Sequence, residues 1–324
     1  MVSRPYLSAA AFCAASVVFL VPSVSSACSV CQCGDPLFTS SGASSQTSGT
    51  FSFFLDGQFS TKSSGVLADD PAELPEPGDR ERSFDRDLTL YASWTPAPRF
   101  TVTASVPLRW ITITHDPAQG ESLDHHNHGF GDASLYLTSV LWQDLETKPV
   151  SWLELRVMLK LPSGQSQKTI AGEEDPHIQL GTGSWDFGAG GGGGHHFSHF
   201  SLYANGFYRW NQKGSLHYRY GDVFLANLIA TSEAFPSFGG VLVRPGAELN
   251  FRYAGRDQFH GSAYQDSGGG IAYLTPVLEI PLTRDAEQLA PWLRFAVRMP
   301  LGDSNLSGHQ HEGFVYNAGI GFAF

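Results

Sequence analysis

Charged residues occur at alternate positions of several otherwise apolar stretches of the sequence. In residues 151–161, Glu154, Arg156 and Lys160 alternate with leucine and valine. Successive side chains of a β-strand point to opposite faces, so the charged groups of such a stretch share one face. The charged residues assigned to this phase as lumen-lining are Arg109, Asp132, Glu154, Arg156, Lys160, Arg209, Arg244, Glu248, Arg252, Glu279, Arg294 and Arg298.

Two kinds of chemistry fit these charged groups. Rings of basic side chains along a polar path select anions. Alternatively, arginine and carboxylate groups on neighbouring strands pair and close the space between them. The sequence leaves both open. Arg86 is different, because it falls in the apolar phase near the end of its stretch.

Histidine and cysteine residues form a second group, which could bind a metal ion. Three histidines lie in Asp-His-His-Asn-His, two in His-Gln-His-Glu, and three cysteines in Cys-Ser-Val-Cys-Gln-Cys. Imidazole and thiolate suit Cu or Zn, but the spacing matches no closed Cys₄ or Cys₂His₂ zinc site. No cofactor is certain, and in an oxidising compartment two of the cysteines could instead form a disulfide. The candidate metal ligands are Cys28, Cys31, Cys33, His125, His126, His128, His309 and His311.

A catalytic site is a third possibility. Nucleophilic catalysis needs a nucleophile, a base and an orienting group within hydrogen-bond reach. Serine and histidine are close in His196-Phe197-Ser198-His199, but no pattern brings a third group to them. We expect that the protein is not an enzyme, and a membrane hydrolase is the weaker alternative.

These side chains must be positioned by strands, and twelve strands are predicted. They span 49–60, 84–95, 99–113, 129–142, 151–161, 183–194, 200–211, 220–231, 238–253, 270–283, 288–300 and 313–324. Each is near the length that crosses a bilayer when tilted. The connections alternate between long and short, as in outer-membrane barrels with long outer loops and short periplasmic turns. The sequence therefore predicts an all-β fold: a transmembrane up-and-down antiparallel β-barrel of 12 strands in residues 49–324.

The last stretch, residues 313–324, shows the alternation most clearly. Phe314, Tyr316, Ile320, Phe322 and Phe324 share one face, and small or polar residues occupy the other. This is typical of a lipid-facing strand. A terminal phenylalanine on such a strand resembles the assembly signal of bacterial outer-membrane barrels, so barrel-assembly machinery is an expected partner. A soluble sandwich is the alternative, but it has no reason to alternate long and short connections.

The amino-terminal residues predict a signal peptide over 1–27. Arg4 precedes an apolar run over 7–21, and Ser25-Ser26-Ala27 provides a cleavage site. Residues 28–48 are then a Cys-rich periplasmic tail or plug segment, with a lipidated Cys28 as a less favoured alternative. The expected location is the bacterial outer membrane. The net charge of −11 argues against nucleic acid as a partner, which leaves membrane lipid and a small solute.

The seven tryptophans are predicted near strand ends, where aromatic girdles form at the membrane surface. Trp94, Trp142, Trp152 and Trp292 belong to the end with short turns, and Trp110, Trp185 and Trp210 to the end with long loops. Trp142, Trp152 and Trp292 are out of phase with the apolar face of their own strands. They therefore lie in turns or mark a shift in register.

Three short motifs occur in order between residues 129 and 186. Gly-Phe-Gly-Asp begins at Gly129, Leu-Lys-Leu-Pro-Ser-Gly at Leu159, and Leu-Gly-Thr-Gly-Ser-Trp-Asp at Leu180. This order resembles outer-membrane transporters grouped with the MetA-pathway phenol-degradation protein, and the resemblance extends over about residues 49–324. It implies an outer-membrane barrel for passage of small molecules, with no catalytic residues to carry over. The cysteine-rich tail and the histidines depart from that family's pattern.

The expected function is therefore an outer-membrane transporter or channel for a small solute, anionic or aromatic. An outer-membrane protein that binds or helps to transport Cu or Zn is the alternative.

Overall fold

The computed structural model describes residues 49–64, 80–116, 121–146, 149–170, 173–174, 178–237, 241–263, 267–282, 291–301, 305–306 and 310–324. The predicted signal peptide, the tail with its three cysteines, and His309 lie outside these ranges. No helix in the described ranges is long and apolar enough to span a bilayer.

The described residues form 21 strands, which range from two residues to eighteen. They are β1 (Phe51–Ser64), β2 (Arg80–Ala97), β3 (Phe100–Asp116), β4 (Leu123–Phe130), β5 (Ser134–Gln143), β6 (Ser151–Lys160), β7 (Thr169–Ile170), β8 (Glu173–Glu174), β9 (Asp186–His196), β10 (Phe200–Trp210), β11 (Tyr218–Arg219), β12 (Val223–Ser232), β13 (Phe235–Pro236), β14 (Leu242–Ala254), β15 (Gln258–Phe259), β16 (Ser262–Ala263), β17 (Gly269–Pro281), β18 (Trp292–Pro300), β19 (Asn305–Leu306), β20 (Gln310–Glu312) and β21 (Val315–Ala323).

Twelve of these strands form one closed antiparallel wall. The order is β1-β2-β3-β5-β6-β9-β10-β12-β14-β17-β18-β21, and β21 pairs with β1 to close it. Backbone bonds from Phe51 N to Phe324 O (2.8 Å) and from Phe324 N to Phe51 O (2.9 Å) extend the closing ladder. The predicted 12-stranded barrel is confirmed.

The alternation of side chains in the sequence explains why these residues form a barrel wall. On β6, Leu153, Leu155 and Val157 are exposed, whereas Glu154 and Lys160 are buried. The same alternation on most other wall strands gives an apolar outer surface and a largely polar inner surface. Strand β12 is an exception, because Val223, Leu225 and Ile229 on its inner face are apolar and buried. In a bilayer, backbone groups find partners only within the protein, which a closed sheet provides.

The connections differ at the two ends of the barrel. At one end, here called the turn end, β2 joins β3 through residues 98–99 and β9 joins β10 through 197–199. At the other, here called the loop end, β6 joins β9 through residues 161–185 and β14 joins β17 through 255–268. The predicted alternation of long and short connections is therefore present.

Two predicted boundaries were wrong at the loop end. Residues 114–128 were expected to be a loop, but β3 extends to Asp116 and β4 begins at Leu123. The strand predicted over 129–142 is interrupted after Phe130, where Gly131 N donates to Pro107 O (2.9 Å). Because proline has no N–H, the β3 ladder is irregular at this point, and β4 and β5 pair with β3 in registers that differ by one residue.

The tryptophans follow the girdle pattern with two exceptions, Trp152 and Trp292. Trp292 is half-buried and stacks on Phe54 over Gly321, on the inner face of the wall. Trp94, Trp110, Trp142, Trp185 and Trp210 are exposed. The register shifts between Val140 and Trp142, and this places Trp142 on the outer face despite its phase in the sequence. Trp152 was wrongly placed in the girdle: only 3% of it is exposed, and it stacks on Tyr203 inside the barrel.

Strand β9 carries glycine at most positions between Gly188 and Gly194, and its inner face receives aromatic rings from the neighbouring strands. A Cβ atom added at Gly188 would lie 2.4 Å from Phe207 Cζ, and one at Gly194 would lie 2.3 Å from Trp152 Cζ2. Glycine therefore leaves the space that Phe207 and Trp152 occupy. These rings belong to a buried apolar cluster with Tyr136, Met158, Tyr203, Val223, Leu225, Ile229 and Ala254.

We expect Gly190→Ala to destabilise the barrel by about 1–3 kcal/mol, because overpacking forces the backbone to shift. Its new Cβ would lie 2.3 Å from Gly206 O and 2.7 Å from Phe207 Cα. Gly206→Ala is the matched control, because nothing lies closer than 3.9 Å to its Cβ. It should change stability by no more than about 0.5 kcal/mol. Urea unfolding in detergent micelles measures both, and equal midpoints for the two variants would contradict the packing described.

Candidate functional site

The barrel interior holds the charged residues that the sequence assigned to the inner phase. At the loop end, Lys160 is fully buried and contacts two carboxylates. Its Nζ lies 2.6 Å from Asp132 Oδ2 and 2.7 Å from Asp186 Oδ2, and it also donates to Thr182 Oγ1. A buried ammonium group requires such partners, because desolvation of an unpaired charge is costly. Lys160 therefore fixes β6 and β9 to the connection between β4 and β5 at this point.

Asp132 also binds the backbone of the connection between β6 and β9. Its Oδ1 accepts from Gly164 N (2.9 Å), and its Oδ2 accepts from Thr182 N (2.8 Å). A Cβ atom at Gly181 would lie only 2.3 Å from Asp132 Oδ1, so this contact requires glycine. The three motifs found in the sequence thus meet in one cluster, in which Asp186 and Thr182 were not predicted as site residues.

The connection 161–185, here called the inner loop, also packs against the inner wall. Ile178 and Leu180 are buried against Ile111 and Ile113 of β3. Asn127 Nδ2 donates to Ile178 O at 2.7 Å. The inner loop was expected to face outward, but its described residues cover part of the interior at the loop end.

Arg109 links this loop to the wall. Its Nε donates to Asp87 Oδ1 (2.8 Å), and its Nη1 lies 3.5 Å from Leu180 O. The guanidinium is buried, so the Asp87 carboxylate compensates for its loss of solvation.

Farther from the loop end, arginine and glutamate pair between strands. Arg294 Nη2 lies 2.7 Å from Glu248 Oε1, and Arg244 Nη1 lies 3.3 Å from Glu279 Oε2. The sequence left open whether these groups select anions or pair to close the interior. The contacts seen here are those of structural pairing. The Arg244 side chain nevertheless remains 40% exposed.

A similar pairing occurs on β6. Arg156 Nη2 lies 3.4 Å from Glu154 Oε1, and Tyr203 Oη donates to the same oxygen at 2.6 Å. Arg209 and Arg252 are buried, and Arg298 is half-buried on β18.

A row of amides crosses the interior between the ion pairs of Lys160 at the loop end and those of Arg294 and Arg244 farther from it. Asn250 Nδ2 donates to Asn227 Oδ1 and Asn227 Nδ2 donates to Asn205 Oδ1, each at 2.9 Å. Thr275 Oγ1 donates to Asn250 Oδ1 at 2.6 Å. This neutral row connects β10, β12, β14 and β17 at one level. The row carries no charge and was not predicted, although Asn205, Asn227 and Asn250 all fall in the inner phase.

The predicted metal ligands are not brought together within the described residues. His125 lies opposite Ile113, which faces inward, whereas His126 and His128 lie on the outer face beside Thr112 and Trp110. The described part of the chain has no group of three or more His, Cys, Asp or Glu residues arranged to hold a metal ion. His311 lies in β20. Metal binding by these residues remains a prediction.

Two serine–histidine contacts occur at the turn end. Ser151 Oγ lies 2.7 Å from His195 Nδ1, and His196 Nδ1 lies 2.6 Å from Ser201 Oγ. Neither histidine has a carboxylate hydrogen bond among the described residues, so the third member of a catalytic triad is lacking there. Both contacts join paired strands and fit a structural role.

A closed antiparallel barrel with an apolar outer surface and a polar interior defines a membrane-spanning β-barrel protein. Its fold is that of a bacterial outer-membrane barrel, as one solved structure indicates. The COG4313 outer membrane channel from Pseudomonas putida F1 matches with a TM-score of 0.62 at 16% identity, over 89% of this chain and 100% of that one. This match shows the fold, and it confirms at that level the expected resemblance to outer-membrane transporters.

Two other structures match less closely. The transport unit of the autotransporter AIDA-I from Escherichia coli has a TM-score of 0.46 at 10% identity, over 89% of this chain and 93% of that one. A mutant of the monoaromatic hydrocarbon channel TodX has a TM-score of 0.39 at 12% identity, over 86% and 91%. Both scores are too low to support an argument. No protein-family model matches the sequence, and no curated protein sequence resembles it significantly.

We expect Lys160→Met to lower the free energy of unfolding by about 3–5 kcal/mol, because it leaves Asp132 and Asp186 buried without a cation. The inner loop should then become cleavable by protease. Lys168→Met, a half-buried lysine in the same loop, is the control and should cost no more than about 1 kcal/mol. Urea unfolding and limited proteolysis measure the two effects.

The triple variant Asp132→Asn, Lys160→Met, Asp186→Asn should recover part of this loss, because it removes the unpaired carboxylates together with the lysine. A triple variant no more stable than Lys160→Met alone would show that the loss comes from packing and not from charge.

Proposed function

We propose that this protein is a bacterial outer-membrane channel that admits a small solute. The observation that supports this most is the polar interior, which extends from Arg244 and Glu279 near the turn end to Lys160 and Asp132 at the loop end. Burial of ion pairs is often no more stabilising than burial of apolar side chains of similar volume. A barrel that served only as an anchor would have no need of such an interior. The fold shared with the COG4313 outer membrane channel supports the same class.

The solute class favoured by the interior is a small anion. The candidate residues are the twelve charged side chains assigned to the inner phase, of which Arg244 and Arg298 are partly exposed. An aromatic solute is favoured less, because Tyr136, Tyr203 and Phe207 are already packed in the apolar cluster.

The inner loop would limit passage. It is held to the wall by Lys160 and Asp132 and covers part of the interior at the loop end. A narrow channel is expected on these grounds, in which the solute passes beside the loop. The inner loop would therefore set the size of solute admitted.

The proposal also includes the parts of the chain outside the described residues. Residues 1–27 would be removed as a signal peptide, and residues 28–48 would lie in the periplasm as a tail or plug. The loop end would then face the outside of the cell, and the final strand would be recognised by barrel-assembly machinery. The partners are membrane lipid and solute and not nucleic acid, and the channel would have no catalytic role.

Single-channel recording in planar bilayers tests passage. The wild-type protein should give small, discrete conductance steps. A variant in which residues 166–177 are replaced by two glycines should give larger steps, because the inner loop then covers less of the interior. If neither protein conducts, even after removal of residues 28–48, the barrel is closed and the proposal is wrong.

Anion preference is tested by Arg298→Gln. Removal of a partly exposed cation from the interior should shift the reversal potential in a salt gradient toward that of a non-selective channel and lower conductance about twofold or more. Arg99→Gln removes an exposed charge in the β2–β3 turn and serves as the control. An unchanged reversal potential in Arg298→Gln would exclude this arginine from the path.

A further inference from the structure

A groove runs across the outer, lipid-facing wall where the barrel closes. Its volume is about 750 Å³, and it extends from β17 to β2. At the closing pair its floor is made of two small residues, Gly57 of β1 and Ala318 of β21, which are partners in register. Leu278 and Phe295 line it toward β17 and β18. Its position and apolar lining suit a hydrocarbon chain.

A guanidinium group lies at the β2 end of this groove. Arg86 is exposed and shares the outer face with Leu88, whereas Asp85 and Asp87 on either side of it belong to the inner face. It forms no ion pair within the described ranges. An outward-facing cation on a membrane barrel is costly unless it reaches the interfacial region or an anion.

The register places Arg86 at the membrane surface on the loop-end side. It pairs with Trp110 of β3 and Phe59 of β1, and Phe59 pairs with Tyr316 of β21. Trp94 marks the opposite surface eight residues away on the same strand, which is about 26 Å along the strand and roughly 20 Å in height at the usual tilt. Arg86 and the half-exposed Tyr316 are therefore at headgroup level, with the small-residue floor one row below them.

We infer that this groove binds one lipid through a phosphate headgroup. Arg86 binds the phosphate, Tyr316 donates to a headgroup oxygen, and an acyl chain lies over Gly57 and Ala318. Gln58, Asp87 and Asn317 also line the groove, but they belong to the inner face, where Asp87 pairs with Arg109. Charge complementarity selects an anionic lipid, because the outward-facing residues of the groove other than Arg86 offer hydrocarbon and one phenol. The site is on the outside of the wall, so this inference is independent of solute passage.

Native mass spectrometry of the full-length protein in non-ionic detergent tests the site. Phosphatidic acid and phosphatidylcholine with identical acyl chains are the probes. The wild type should retain one molecule of phosphatidic acid about tenfold more tightly than phosphatidylcholine. Arg86→Gln should weaken phosphatidic acid binding about fivefold, whereas Arg99→Gln, which removes an exposed charge at the turn end, should leave it unchanged.

Gly57→Leu tests the acyl-chain floor without loss of the fold. A Cβ atom at Gly57 would meet Ala318 O at 3.4 Å and Leu88 Cδ1 at 3.9 Å, so the side chain extends into the groove and not into the wall. It should weaken binding of both lipids about tenfold. Gly206→Leu, at a lipid-facing glycine on β10 whose Cβ would meet nothing closer than 3.9 Å, should have no effect.

The inference is overturned if Arg86→Gln and Gly57→Leu bind phosphatidic acid as the wild type does. It is also overturned if Gly57→Leu converts a dimer to a monomer with unchanged lipid binding. The groove would then be a contact between two copies of the chain.

Discussion

The pairing of β1 with β21 is the contact on which the rest of the structure depends. Without it, the wall would have two edges with unpaired N–H and C=O groups, and a bilayer core offers these groups no partner. Closure explains why the strand number is even, why the first and last strands carry large aromatic residues outward, and why Phe324 stacks on both Phe51 and Phe53. The groove inferred to bind a lipid lies at this β1–β21 pair because the small residues Gly57 and Ala318 face outward there.

Closure creates a second constraint, because an enclosed polar surface must satisfy its own charges. Lys160 lies between two carboxylates, Arg294 lies against Glu248, and the Asn205–Asn227–Asn250 row fills a level with neutral hydrogen bonds. The inner loop is part of this arrangement, since Asp132 binds both the lysine and the loop backbone. One cluster thus joins the wall to the segment proposed to limit passage.

Local alternation was enough to predict the number of wall strands and most of their faces, because most strands expose one side to lipid and the other to polar groups. It did not predict the extension of β3 or the interruption after Phe130. It could not predict that Asp132, Lys160 and Asp186 meet, since they lie in the β4–β5 connection, on β6 and on β9, and their contact depends on how the inner loop folds back. The bulge that turns Trp142 outward and the packing of Trp152 against Gly194 depend on neighbouring strands in the same way. The histidines of 125–128 fell in the predicted connection 114–128, but their pairing with β3 makes them strand residues on two opposite faces.

The glycine-rich strand β9 has a consequence for the behaviour of the backbone. With almost no side chains, this strand is a single layer of peptide groups between lipid on one side and the rings of Phe207, Tyr203 and Trp152 on the other. Water cannot easily approach its amides from either side, whereas the amides of β17 and β18 face an interior rich in hydrogen-bonding groups. Strand β9, which has the smallest side chains of the wall, should therefore be the slowest to exchange its amide hydrogens for deuterium.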